Sequence, residues 1–474
     1  MNPSTDQREL VRRALGTVGK NYDSKLRLQS DDIHERPSLV WRGDSIILAS
    51  DLPRWAYRVW VSEKGRFRDH PAGFCNLRPV VGDSDIRPVA DAYIRPPLRM
   101  LDLDSGYKIY TQSGLQRLYG EDPSFDVTCY SQPHQRVGGY CAHAALFMSL
   151  VMICLRFDVR VPAVHETSYD VARRPTKERE HAVQSDGSFV VRGLRLSEVE
   201  AHLRSSMVGG SAVIESMPAT DLRLVFHRIN EYLRLRLPVI LSVDYYRLNK
   251  DEKKLVENLN PDKDYPHVVV LVGARYSQDQ RRAEYEPETF VYHDSTVAPY
   301  MEKPAEVLVR SGAAFKKGHG RISFLVPMPR DVRRSIGSVL NHIADVYRPE
   351  ARGQLDRSGW PASRPKAPYQ RYRLLSANEL VHRWLRFLRP NSEAKLAISG
   401  CRQLLPEWTW EVQWYPLHPP YLEQKRPSAL WYFDATRKLL RDQPQLLNSG
   451  FAFLQNGGFR CNITGFPEKA FAAK

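Results

Sequence analysis

The chain has 474 residues, 42% of them hydrophobic and 26% charged, a soluble globular composition with length for two or three domains. The net charge of +15 raises nucleic acid or an anionic surface as partners, yet the Arg and Lys are scattered and usually sit beside acids, as in R-R-P-T-K-E-R-E at 173–180. Six Cys in so long a chain do not make a disulfide framework, and the opening M-N-P-S-T-D-Q lacks the apolar core of a signal peptide, so a reducing cytoplasm is expected and no membrane span.

The predicted elements begin with a polar helix at the N-terminus. Strand-like S-I-I-L-A (45–49) and W-A-Y-R-V-W-V (55–61) follow, then a Pro-rich stretch at 89–100. These residues, 1–118, read as an N-terminal accessory domain. Residues 119–328 form a central domain. Its apolar run 142–157 is hydrophobic all round, which predicts a buried helix. Ser197 with Glu200 offers a capping box, and 221–235 repeats apolar residues at helical spacing before Pro238. The period then changes. P-V-I-L-S-V-D-Y (238–245), H-V-V-V-L-V-G (267–273), T-F-V-Y-H (289–293) and R-I-S-F-L-V (321–326) are β-branched strands. Helices first and strands second is an α+β arrangement. Residues 329–371 read as a basic Pro/Arg-rich connection. A C-terminal accessory domain, 372–474, opens with helical V-H-R-W-L-R-F-L (381–388) and continues with aromatic strands at 408–415 and 429–433.

Four residues in the central domain carry chemistry. Cys141 opens the buried helix, His267 opens an apolar strand, Asp294 ends the next strand, and Gln135 lies six residues before the Cys. A thiol attacks as thiolate, which a helix N-terminus and an imidazolium both favour. The His needs a carboxylate to fix its tautomer, and adjacent antiparallel strands place Asp294 beside His267. The amide of Gln135 and the backbone N–H of Cys141 are the expected oxyanion donors, with Gly138 and Gly139 allowing a tight turn between them. His293 alternates to the face opposite Asp294, and His143 sits off the helix face of Cys141, so both read as structural or solvent-facing. A zinc site from Cys129, Cys141 and His143 lacks a fourth ligand, so no metal and no cofactor are expected. Cys154 reads as core.

These strings, Q-R-V-G-G-Y-C-A-H-A-A-L-F-M (135–148), P-H-V-V-V-L-V-G (266–273) and V-Y-H-D-S (291–295), together resemble the papain-like cysteine peptidase superfamily, closest to its peptidase C39-like branch. The resemblance covers about 130–328. It implies a papain-like central domain with Gln135, Cys141, His267 and Asp294 in the four catalytic roles, and a protein or peptide substrate cleaved through a thioester. Ala142 and Tyr140 depart from the residues usual beside the nucleophile, and a charged insertion at 165–195 lengthens the Cys–His interval. Two alternatives stay open: a transglutaminase-like acyl transferase, which the sequence also resembles through G-Y-C-A-H-A-A-L and the V-R-V-P-A-V strand after it, and a non-enzymatic scaffold binding a protein or nucleic acid.

Overall fold

Antiparallel pairing organises every sheet of this protein, seen in a computed structural model. It describes residues 5–22, 26–28, 34–37, 55–64, 69–77, 88–110, 127–132, 141–157, 196–204, 210–263, 265–277, 286–313, 320–342, 369–388, 395–396, 399–415, 429–436, 452–455 and 458–461. The expected strand 45–49, most of the connection, Gln135 and the insertion at 165–195 lie outside these residues. The chain divides into two units, Met1–Arg330 and Asp331–Lys474.

The first unit opens with α1 (Thr5–Val18) and strands β1 (Leu26–Leu28), β2 (His34–Pro37), β3 (Trp55–Lys64), β4 (Asp69–Leu77) and β5 (Val89–Ile94). Strand β5 falls where a Pro-rich stretch was expected. V-A-D-A-Y-I is buried along its whole length, and the prolines at 96 and 97 come only after it. Then follow α2 (Leu98–Leu101), β6 (Tyr107–Ile109) and β7 (Thr128–Ser131). Strand β7 pairs with β5 and completes a six-stranded sheet ordered β1-β3-β4-β5-β7, with β2 beside β3. The expected boundary near residue 118 therefore lies inside one unit, because β7 comes from the central block and belongs to the first sheet.

The central elements are α3 (Cys141–Phe157), α4 (Leu196–Leu203), β8 (Ser211–Pro218), α5 (Leu222–Arg234), β9 (Val239–Asp244), α6 (Tyr245–Asn249), α7 (Lys253–Val256), β10 (Pro266–Tyr276), β11 (Pro287–Asp294), β12 (Ala298–Pro304), α8 (Ala305–Ala313) and β13 (Arg321–Met328). The second sheet runs β12-β11-β10-β9-β13-β8, and β6 adds to the far end of β10. That addition depends on Gly273, where a Cβ would stand 2.7 Å from the Lys108 carbonyl oxygen and 2.6 Å from Ile109. Order within this block is not strictly helices before strands, since β8 precedes α5. The Asp221 side chain caps α5 by accepting from the Leu224 N–H at 3.0 Å.

Helix α3 is apolar on all sides because it has a sheet on each. Ala142, Ala145, Leu146 and Val151 belong to one continuous core with Phe74, Leu77, Ala92 and Cys129 of the first sheet and Val268, Val270 and Val272 of β10. A helix buried on one face only would carry a polar stripe. Among the described residues no helix is long and apolar enough to cross a membrane.

The second unit holds α9 (Ile336–His342), β14 (Tyr369–Ser376), α10 (Ala377–Leu388), β15 (Trp408–Tyr415), β16 (Ala429–Asp434) and a hairpin of β17 (Ala452–Gln455) with β18 (Gly458–Cys461). Strands β14-β15-β16 form one sheet, on which buried Glu411 accepts from Arg383 of α10 at 2.6 Å. Arg371, expected in the connection, sits in β14 opposite Gln413.

Candidate active site

The site lies where β9, β10 and β11 run side by side. Val270 of β10 stands opposite His293 of β11, and His267 stands opposite Val243 of β9. Side chains alternate along a strand, so His267 and Asp294 share one face and His293 takes the other. The geometry follows that parity. Asp294 Oδ1 lies 3.0 Å from His267 Nε2, with His267 5% exposed and Asp294 1% exposed. The same oxygen accepts from the Thr296 backbone N–H at 2.8 Å and from its hydroxyl at 2.7 Å. The D-S-T turn thus fixes the carboxylate before the imidazole reaches it.

Cys141, the first residue of α3, is half-buried and free. Its side chain hydrogen-bonds the His267 imidazole. The first N–H groups of a helix have no intrahelical acceptor, so the Cys141 end of α3 offers donors and a positive dipole end.

Burial alone would drive His267 toward its neutral form. The Asp294 charge and hydrogen bond, aided by Cys141, overcome that and raise its pKa to about 10. Asp294 answers in kind: burial pushes its carboxyl up, but His267 and the two Thr296 bonds hold it below its ordinary value. The pair is a buried carboxylate and imidazolium across neutral pH.

Two neighbours were not picked out from the sequence. Tyr245 packs edge-on against the His267 ring, with centroids 5.1 Å apart at 84°. Asp244 sets that wall, accepting from the Arg247 N–H at 2.9 Å and from the Tyr265 N–H at 2.8 Å, while the Tyr245 N–H donates to the Tyr265 carbonyl at 2.8 Å. One carboxylate so anchors both the start of α6 and the lead-in to His267. Thr296 is the other, and its position two residues after an Asp is the one readable signal for it.

The competing candidates fall elsewhere. His293 is fully buried and points away from His267 toward β7, where its Nε2 lies 2.8 Å from Thr128 Oγ1. Burial lowers its pKa to about 3. His143 is also buried, so the solvent-facing alternative fails for both histidines. Cys129 is buried in β7, with its thiol pushed well up by burial and by Asp91. Cys154, expected in the core, is half-buried. Among the described residues no group of three or more His, Cys, Asp or Glu side chains is arranged to hold a metal ion. Comparison of the sequence with protein-family models and with curated proteins finds no match in either.

Proposed function

We propose that this chain is a papain-like cysteine peptidase that cleaves a peptide or isopeptide bond through a thioester. The observation that supports this reading is the run from Asp294 Oδ1 to His267 Nε2 at 3.0 Å, with the Cys141 side chain on the same imidazole at a helix N-terminus. An apolar helix behind the thiol and an antiparallel sheet carrying the His and the acid agree with that fold.

The chemistry follows from the residues. The Cys141 thiolate attacks the scissile carbonyl carbon, and its C=O electrons move onto oxygen. The Cys141 N–H meets that oxyanion, joined in this reading by the amide of Gln135. His267 gives its Nδ1 proton to the leaving amine as the C–N bond breaks, leaving a thioester and a neutral imidazole. Water then gives a proton to Nδ1 and attacks the thioester, which collapses to the carboxylic acid and returns the thiolate–imidazolium pair. Asp294 holds Nε2–H throughout and stabilises each imidazolium state. Tyr245 and the burial of Asp294 keep water from competing for that bond.

The test is digestion of a peptide library by the full chain in ¹⁸O water, read by mass spectrometry. New C-termini carrying one ¹⁸O are expected, and none from the Cys141→Ala protein. Absence of cleavage by the wild type, or cleavage that survives Cys141→Ala, defeats the reading. Incorporation of an added primary amine in place of ¹⁸O assigns the chain to acyl transfer.

A further inference from the structure

The acid of the site is held by residues of the first sheet as well as by its own strand. At the end of β11 the ladder with β12 breaks. Tyr292 stands opposite Met301 and Asp294 opposite Ala298, so two residues, Pro299 and Tyr300, face the single residue His293. Such a bulge re-aims the strand that carries it. Tyr300 is left-handed there, at φ 52°, an unfavourable region for an aromatic residue. Its backbone N–H, turned out of the ladder, donates to His293 Nδ1 at 3.1 Å. Nδ1 is therefore the acceptor and Nε2 carries the proton.

From Nε2 a chain of bonds runs into the first sheet. Nε2–H donates to Thr128 Oγ1 at 2.8 Å, Thr128 donates to the Tyr300 hydroxyl at 2.6 Å, and that hydroxyl donates to the Ile94 carbonyl at 2.6 Å. Thr128 and Ile94 are register partners on β7 and β5. A second grip comes from the same strand: Tyr130 donates to the Asp294 carbonyl oxygen at 3.4 Å, and Gln132 donates to the Tyr130 hydroxyl at 3.1 Å. All members of the chain are buried.

We infer that His293 is a positioning residue for the site: by holding the Tyr300 bulge through Nδ1 and Thr128 through Nε2, it aims Asp294 at His267 and makes the first sheet part of the active-site scaffold. The inference rests on the triad reading of Cys141, His267 and Asp294. Neutral His293 suits the task, because protonation would place a donor at Nδ1 against the Tyr300 N–H.

The two nitrogens can be separated by substitution. In His293→Asn the amide oxygen takes the place of Nδ1 and accepts from the Tyr300 N–H. In His293→Gln the amide reaches the place of Nε2 and leaves that N–H without its acceptor. The readout is the titration midpoint of the His267 Cε1 resonance in full-length protein labelled with ¹³Cε1-histidine, which reports how Asp294 meets the imidazole. Asp294→Asn serves as the reference.

A fall of about one unit or more is expected in His293→Gln, the size of an opposite charge moved out of contact, and a smaller fall in His293→Asn, which keeps the Tyr300 bond and loses only the one to Thr128. Should His293→Gln fail to fold, Thr128→Val decides, with the midpoint expected to fall and Thr128→Ser to restore it. A lesion confined to stability would lower the melting temperature and leave the His267 midpoint in place. That result in folded His293→Gln or Thr128→Val overturns the inference, as does an equal fall in the Asn and Gln variants. If Asp294→Asn itself leaves His267 unmoved, it is the triad reading that fails.

Discussion

Replacement of Asp294 by Asn removes a charge and keeps a shape, so it isolates what the carboxylate contributes electrostatically. The amide oxygen can still accept from His267 Nε2–H, and the ring stays oriented. What disappears is the force that holds the imidazolium in a buried place. Burial is the largest influence on His267 and acts downward; Asp294 is the largest acting upward. Without it the midpoint should drop from about 10 to the ordinary 6.5 or below, a loss of about 5 kcal/mol of imidazolium stabilisation. At pH 8 an imidazole titrating at 6.5 is charged in roughly 3% of molecules, against nearly all in the wild type, so turnover of a cleaved peptide should fall about 30-fold. At pH 6 the two proteins should agree within about twofold on this account.

The assay is the His267 Cε1 titration, with the resonance assigned by its loss in His267→Ala, together with turnover from pH 6 to 9. The signature is a deficit that grows with pH. A midpoint in Asp294→Asn that stays near 10 would refute the electrostatic account. A deficit of equal size at every pH would show that Asp294 acts by geometry alone.

Iodoacetamide at neutral pH should label Cys141 ahead of Cys75 and Cys129, because burial pushes the Cys75 thiol up to about 12 and the Cys129 thiol well up, Asp91 adding to both; mass mapping that finds the label mainly on either one refutes the assignment. His267→Ala should cost about 10³-fold or more in turnover while the protein still melts cooperatively, and retained activity would remove it from the triad. Gln135→Ala should lower kcat by roughly 3–4 kcal/mol with KM little changed, and a change confined to KM would make Gln135 a substrate contact. Folded His293 is neutral down to about pH 3 while the unfolded residue protonates near 6.5, so its burial costs stability progressively as pH falls between those values, by about 5 kcal/mol at most. His227, lowered to about 4 by burial and by Arg228 and Arg234, adds to the same acid trend. The readout is therefore the difference between wild type and His293→Asn, which should narrow as the pH drops, and a gap independent of pH contradicts it.

Strands β9, β10, β11 and β13 of the second sheet were legible from the sequence because their residues are largely β-branched and buried. V-I-L-S-V-D, H-V-V-V-L-V-G and T-F-V-Y-H all fall in observed strands, and parity along β11 separated Asp294 from His293 correctly. The buried helix at 141–157 was legible for a related reason: uniform apolarity has no other soluble explanation at that length. What escaped was long-range. Nothing local in T-C-Y-S marks β7 as the last strand of a sheet that begins with β1 at Leu26, since its partners come from β5. Strand β8 was missed because S-A-V-I-E-S-M-P alternates only weakly, and its place is decided by pairing with β13 over its full length. The Tyr245 contact depends on how Asp244 turns the chain after β9, a tertiary matter that no spacing rule contains.

The two site-adjacent histidines make the physical point most sharply. His267 and His293 are both buried, and both lose hydration, yet one is driven to about 10 and the other to about 3. Burial is common to both and cannot be the discriminator. The difference lies in what each nitrogen meets. His267 has the Asp294 carboxylate on Nε2 and Cys141 beside its ring, and both favour a second proton there. His293 has a backbone N–H aimed at Nδ1 and a hydroxyl at Nε2, a set that is complete for the neutral ring and has no place for a second proton. Residues 293 and 294 are adjacent, so β11 presents a neutral histidine to the first sheet on one face and a carboxylate to the His267 imidazole on the other. A one-residue slip of this strand would exchange the two and put a charge in the core between the sheets. The bulge at Tyr300 guards against that slip at the end of the strand where the register has chemical consequences.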